Sequence, residues 1–119
     1  MPNQVSATFP GYSRGRNAWR ELIHAAVAEA MKRANVTFSQ HDQLAVDVAL
    51  VMTPAHFRFN DVDNRLKDVL DALQARVGGP KSVRRLAPLI PNDKQVVRAS
   101  IEKSEGPVPS GQVSIRVLQ

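Results

Sequence analysis

The chain has 119 residues, with sixteen Lys and Arg against eleven Asp and Glu, a formal charge of +5 and a pI near 10.2. That length predicts a single domain, 1–119, and the basic balance favours a polyanionic partner over an acidic protein surface. With no cysteine, disulfides, thiolate zinc sites and a cysteine nucleophile are excluded. No apolar run reaches membrane-spanning length and no basic-then-apolar leader opens the chain, so the expectation is a cytoplasmic protein without a membrane span.

In chain order, Gln4 to Phe9 alternates, with Val5, Ala7 and Phe9 on one side, and predicts a strand stopped by Pro10-Gly11. Tyr12 to Arg16 is a basic approach in which Arg14 and Arg16 are either solvated or phosphate contacts. From about Asn17 to Ala34, Trp19, Leu22, Ile23, Ala26, Val27, Ala30 and Met31 repeat at helical spacing. Trp19 falls on the buried stripe, whereas His24 falls on the opposite, solvated face.

Leu44 to Met52 is the most apolar stretch, and both its faces are largely apolar, as in a central strand. Thr53-Pro54 ends it, and Phe57 and Phe59 follow, either as core plugs, the favoured reading, or as flanks for a strand of nucleic acid. A second helix is predicted from about Asp63 to Val77, with Leu66, Val69, Leu70, Leu73 and Val77 buried and Gly78-Gly79-Pro80 as its stop. Lys81 to Pro91 lacks periodicity and carries Lys81, Arg84 and Arg85, which are either solvating charges or phosphate contacts. Two strands close the chain. The first runs from about Gln95 to Lys103, with Val97, Ala99 and Ile101 on one side, and the second from Gln112 to Leu118. The order β-α-β-α-β-β predicts an α+β two-layer sandwich, a small mixed four-stranded sheet with two helices on one face.

The unusual chemistry lies at Asn60-Asp61-Val62-Asp63-Asn64, with Lys67 one helical turn further and Asp93 returning before the third strand. Asp and Asn at a helix start are ordinary caps, but one cap needs one side chain and this turn offers four. Neighbouring carboxylates repel unless a cation sits between them, and Mg²⁺ is commonly held by a few carboxylates plus phosphate. Lys67 is either a helical ion-pair partner of Asp63 or a positive charge beside such a metal. His41 and His56 lack zinc spacing.

Asp61-Val-Asp63-Asn64, then Lys67, then Asp71-Ala72-Leu73, then Asp93-Lys-Gln95-Val96-Val97, resembles the RusA family of Holliday-junction resolvases, and Ala18-Trp19-Arg20 fits as well. The resemblance implies a small homodimeric endonuclease, often prophage-encoded, that cuts four-way DNA junctions in recombination and repair. It makes Asp61, Asp63 and Asp93 metal-binding catalytic acids for Mg²⁺, or Mn²⁺ in its place, and Lys67 the essential lysine. Two departures are Asn92, where the family often carries an acid, and the long basic segment before it. A non-catalytic DNA-binding protein and a nucleotide phosphohydrolase are the alternatives. The second apolar face of Leu44 to Met52 (Ala45, Ala49, Val51) is the expected dimer contact.

Overall fold

The computed structural model describes residues 3–12, 15–77 and 86–118. Their elements are β1 (Gln4–Pro10), α1 (Arg16–Ala34), β2 (Gln43–Met52), α2 (Pro54–Phe59), α3 (Val62–Leu73), a 3-10 turn at Asp93–Gln95, β3 (Val96–Glu105) and β4 (Ser110–Leu118). The strands form one mixed sheet in the order β1-β4-β2-β3. β4 is antiparallel to both neighbours, and β2 is parallel to β3. Helices α1 and α3 pack against each other and against the sheet. The α+β two-layer architecture follows, with β2 central as its composition required.

The core lies between these layers. Leu44, Val46, Val48, Leu50 and Met52 of β2 meet Trp19, Ile23 and Val27 of α1 and Val69 and Leu73 of α3, all buried. β1 and β4 contribute alternate residues, among them Val5, Phe9, Val113 and Ile115, as a one-sided sheet requires. The other sheet face, expected from β2 to be apolar, is instead largely polar, and Ala45 on it is buried. Asp47 accepts a hydrogen bond from Ser100 Oγ at 2.6 Å and lies 3.9 Å from Arg116 Nε, while Ser6 and Ser114 meet across β1 and β4 at 3.0 Å.

Several sequence expectations are corrected. The element order gains a helix, because Thr53-Pro54 starts α2 as well as ending β2. The Thr53 side chain accepts from His56 N–H, and Pro54 takes the first turn, where its missing donor costs nothing. Helix α3 stops at Leu73 rather than Val77. Ala75 adopts a left-handed φ of 61°, its N–H bonds to Ala72 O at 2.9 Å, and Arg76 N–H bonds to Asp71 O at 2.8 Å. These two bonds are a Schellman stop built without glycine. The buried face of α3 comprises Arg65, Asp68, Val69, Ala72 and Leu73, leaving Leu66 and Leu70 half-buried.

On α1, Leu22 is 46% exposed while His24 is buried, its Nε2–H donating to Ala87 O at 2.8 Å. Phe57 packs against the core, but Phe59 is 81% exposed. Val97 also faces solvent, because the β2–β3 register skips from Leu44↔Val96 to Ala45↔Arg98 and leaves it as the extra residue of a bulge. The predicted stop at Gly78-Gly79-Pro80 lies outside the described residues.

Gly111 shows how tightly the β1–β4 pair is packed. It lies opposite Phe9, and a Cβ added there would run into the Phe9 ring, which is itself buried edge-on to Trp19 at 5.9 Å. Gly111→Ala should therefore destabilise the domain by about 1–3 kcal/mol, whereas Gln112→Ala, exposed next door, should change little. Thermal unfolding of the two variants tests this, and an unshifted midpoint for Gly111→Ala would contradict the packing.

Candidate functional site

The acidic turn between α2 and α3 is pinned from several directions. Asn60 N–H closes α2 on His56 O at 3.0 Å, its side-chain amide donates to the same carbonyl at 2.8 Å, and its Oδ1 accepts from Arg65 Nη1 at 2.7 Å. Lys103 Nζ, reaching from β3, donates to the carbonyls of Phe57 and Asn60. Asp61 then holds the N-cap position of α3 by its backbone, yet its side chain makes no capping hydrogen bond. The ordinary capping role therefore does not account for the Asp61 carboxylate. Asp63 follows in the first turn of α3, where the helix dipole favours negative charge.

Asp93 is brought back by a separate set of contacts. Leu89 and Ile90 N–H groups both bond to Leu73 O, Gln74 Nε2 donates to Ile90 O, and the Ile90 side chain is buried in the core. Asn92 then caps the 3-10 turn. Its Oδ1 accepts from Lys94 N–H and its own N–H donates to Gln95 Oε1, each at 2.9 Å. Gln95 Nε2 ties the turn to the carbonyls of Ser39 and Asp42. Asn92, where the resembled family often carries an acid, is thus occupied in a cap.

These two routes place Asp63, Lys67 and Asp93 around one cleft of about 430 Å³, together with Leu66, Leu70, Asp71, Gln74, Arg76, Ile90, Val96 and Ala99. Asp61 is not among the lining residues. Lys67 pairs with Asp71 at 3.0 Å rather than with Asp63, and Asp71 also meets Arg20 at 3.2 Å. Arg76 lies 3.9 Å from Asp93. Among the described residues no three His, Cys, Asp or Glu side chains gather into a metal-binding group. The donors at hand are two exposed carboxylates from different elements. They fit Mg²⁺, which usually takes one or two carboxylates and completes its shell with water and phosphate.

Of the candidate phosphate contacts, Arg14, Lys81, Arg84 and Arg85 lie outside the described residues. Arg16 is described and is engaged elsewhere, its Nε donating to Asp68 at 3.0 Å. Asp68 is the residue that sequence reading missed. Fully buried, it faces Arg16, Arg20 at 2.8 Å and Arg65 at 3.1 Å. The Arg65 contact is an ion pair without an aligned hydrogen bond, since Arg65 Nε and Asp68 Oδ2 both lack a partner of good geometry. Arg65 also lies over the Tyr12 ring, 4.0 Å from its centre. The available signal was that Arg65, Asp68 and Ala72 share the helical spacing of a buried stripe with Val69 and Leu73.

No family model matches this chain, and no curated protein matches it. The chain is similar to a solved structure of a cyanuric acid hydrolase, at 17% identity and a TM-score of 0.38. The match covers 99% of this chain but 38% of the hydrolase, so the chain spans well under half of that protein's length. A likeness of this degree carries no argument about activity. Among the described residues no helix is long and apolar enough to cross a membrane.

The buried network makes a direct stability prediction. Asp68→Asn leaves the Arg65 guanidinium buried without its counter-charge, a change that typically costs about 3–5 kcal/mol. The unfolding midpoint should fall by roughly 10 °C or more. A shift of only a degree or two would mean that water, rather than Asp68, compensates Arg65.

Proposed function

We propose that this protein is a Mg²⁺-dependent endodeoxyribonuclease that hydrolyses phosphodiester bonds in branched DNA, resolving four-way junctions as a cytoplasmic homodimer in recombination and repair. The observation that supports it best is the convergence of Asp63 and Lys67 of α3 with Asp93, from a later part of the chain, on one cleft. Those are three of the four residues that the RusA resemblance assigns to catalysis. The fourth, Asp61, sits at the N-cap of α3 with its carboxylate unused by the helix.

Asp63 and Asp93, with Asp61 nearby in sequence, would hold the cation, which when bound would supply an activated water and offset charge on the phosphoryl oxygens. Lys67 contributes a positive charge to the non-bridging oxygens of the scissile phosphate, where negative charge grows in the transition state. Its stem rises from a helix whose other face is buried, and Asp71 holds its ammonium. Lys67 is thus positioned before substrate arrives. The low cost of moving an exposed ammonium from one carboxylate lets it meet phosphate.

A homodimer suits a junction, because approximate two-fold symmetry presents two sites to two strands. The sheet face opposite the helices is the candidate contact. There Ala49 is exposed and Val51 half-buried beside polar neighbours, while Ala45 is already buried within the chain. The alternative of a non-catalytic DNA-binding protein draws on the pairing of Lys67 with Asp71 and of Arg76 with Asp93, which leaves few cleft charges unanswered.

Cleavage of a four-way junction and of linear duplex, with Mg²⁺ and with EDTA, decides between them. The parent should cut the junction in Mg²⁺ and nothing in EDTA. Asp63→Asn should cut about 100-fold more slowly or not at all, with junction binding little changed. Lys67→Ala should lose cleavage on a similar scale while its melting temperature stays close to the parent's, because an exposed helical ion pair is worth only about 0.3–0.5 kcal/mol. Binding without cutting under every metal condition would sink the nuclease in favour of the binding protein.

A further inference from the structure

We infer that Arg76 is a phosphate-binding residue of the cleft whose guanidinium competes with the divalent cation for Asp93, so that cation binding hands Arg76 over to a DNA backbone phosphate. This rests on the phosphodiester-hydrolysis reading above and adds a residue and an order of events to it.

The first support is charge. Among the described residues, the cleft is lined by three carboxylates, Asp63, Asp71 and Asp93, against two cations, Lys67 and Arg76. Those groups together carry one negative charge. A divalent cation would reverse the sign of that set, and a phosphodiester would then be attracted to it. The second is exposure of the right part. Arg76 has its backbone fixed, its N–H bonding to Asp71 O at 2.8 Å and its carbonyl accepting from Arg20 Nη1 at 3.4 Å. Its side chain is 62% exposed, and Asp93 is 53% exposed.

The third is the contrast with Lys67. Lys67 meets Asp71 at 3.0 Å, whereas Arg76 stands off from Asp93 at 3.9 Å. An exposed pair at that distance shifts an equilibrium by no more than a few-fold. A divalent cation on Asp93 therefore displaces it readily, and the planar guanidinium fork then matches two phosphate oxygens. Arg76 thus acts as a placeholder that screens Asp93 until cation and DNA are both at hand.

The test titrates Mn²⁺ into the full chain without DNA, reading free Mn²⁺ by electron paramagnetic resonance, for the parent, Arg76→Ala, Arg76→Lys and Asp93→Asn. Arg76→Ala should bind Mn²⁺ about two- to five-fold more tightly than the parent, Arg76→Lys about as the parent does, and Asp93→Asn much more weakly. On a four-way junction at saturating Mn²⁺, Arg76→Ala should nevertheless cut at least about tenfold more slowly, with Arg76→Lys in between. This opposition of tighter metal and slower cleavage is not expected of a merely structural residue. Unchanged or weaker Mn²⁺ binding by Arg76→Ala, or cleavage at the parent's rate, overturns the inference. If Asp93→Asn still loses Mn²⁺ and the parent cuts, the nuclease reading survives that failure. A parent that neither binds Mn²⁺ nor cuts removes both.

Discussion

The structure depends on the carboxylate of Asp68. It is fully buried between α1 and α3, and its counter-charges come from both helices, Arg16 and Arg20 on one and Arg65 on the other. Desolvating a carboxylate costs several kcal/mol, which the surrounding guanidinium groups must offset. An apolar stripe alone tolerates small slips of one helix on another, because one Leu or Val contact resembles the next. A buried ion pair does not, since a slip leaves charge without a partner. Asp68 therefore contributes registration of α1 against α3 more than net stability.

From that registration the cleft follows by a short series of contacts. Arg65 reaches from Asp68 to Asn60 and so fixes the turn that carries Asp61 and Asp63. Arg20 reaches from Asp68 to Asp71, and Asp71 holds Lys67. The third acid arrives independently, through Ile90 in the core and the Asn92 cap. The charged groups at the cleft are thus connected to buried contacts rather than left on a loose surface. Positioning of this kind is what sites need if a misplacement of about 1 Å is to be avoided.

Much of this was legible in the sequence, and the failures have physical causes. Strand alternation at Val5, Ala7 and Phe9 and the apolar run of β2 predicted their elements correctly, because one face or two of a strand must be apolar to be buried. Residue type singled out Asp61, Asp63, Lys67 and Asp93 together; Asp63, Lys67 and Asp93 line one cleft, whereas Asp61 is not among its lining residues. Asp68 and Arg65 were overlooked because each alone reads as a surface charge. Only their mutual pairing and the Arg20 partner on another helix make burial tolerable. Helix α2 was missed because six residues give too little periodicity, though Thr53 followed by Pro54 is a helix start by cap and first-turn chemistry. His24 was misplaced because its partner, the Ala87 carbonyl, lies far along the chain and leaves no local trace.

The distribution of charge bears on what the cleft can be for. The chain as a whole carries +5, yet among the described residues that line the cleft carboxylates outnumber cations. A polyanion drawn by the overall field would therefore meet, in this cleft, a local excess of negative charge among the described residues. For a protein that only bound DNA this arrangement is a cost, because carboxylates beside phosphates repel and nothing in the packing requires Asp63 or Asp93 there. Both are exposed, and the neighbouring Asp61 makes no side-chain capping bond that would explain a second acid at this turn. A divalent cation would resolve the conflict, since it would answer the carboxylates and the phosphate at once. On the proposed reading, the acidic cleft in a basic protein makes productive DNA binding conditional on metal.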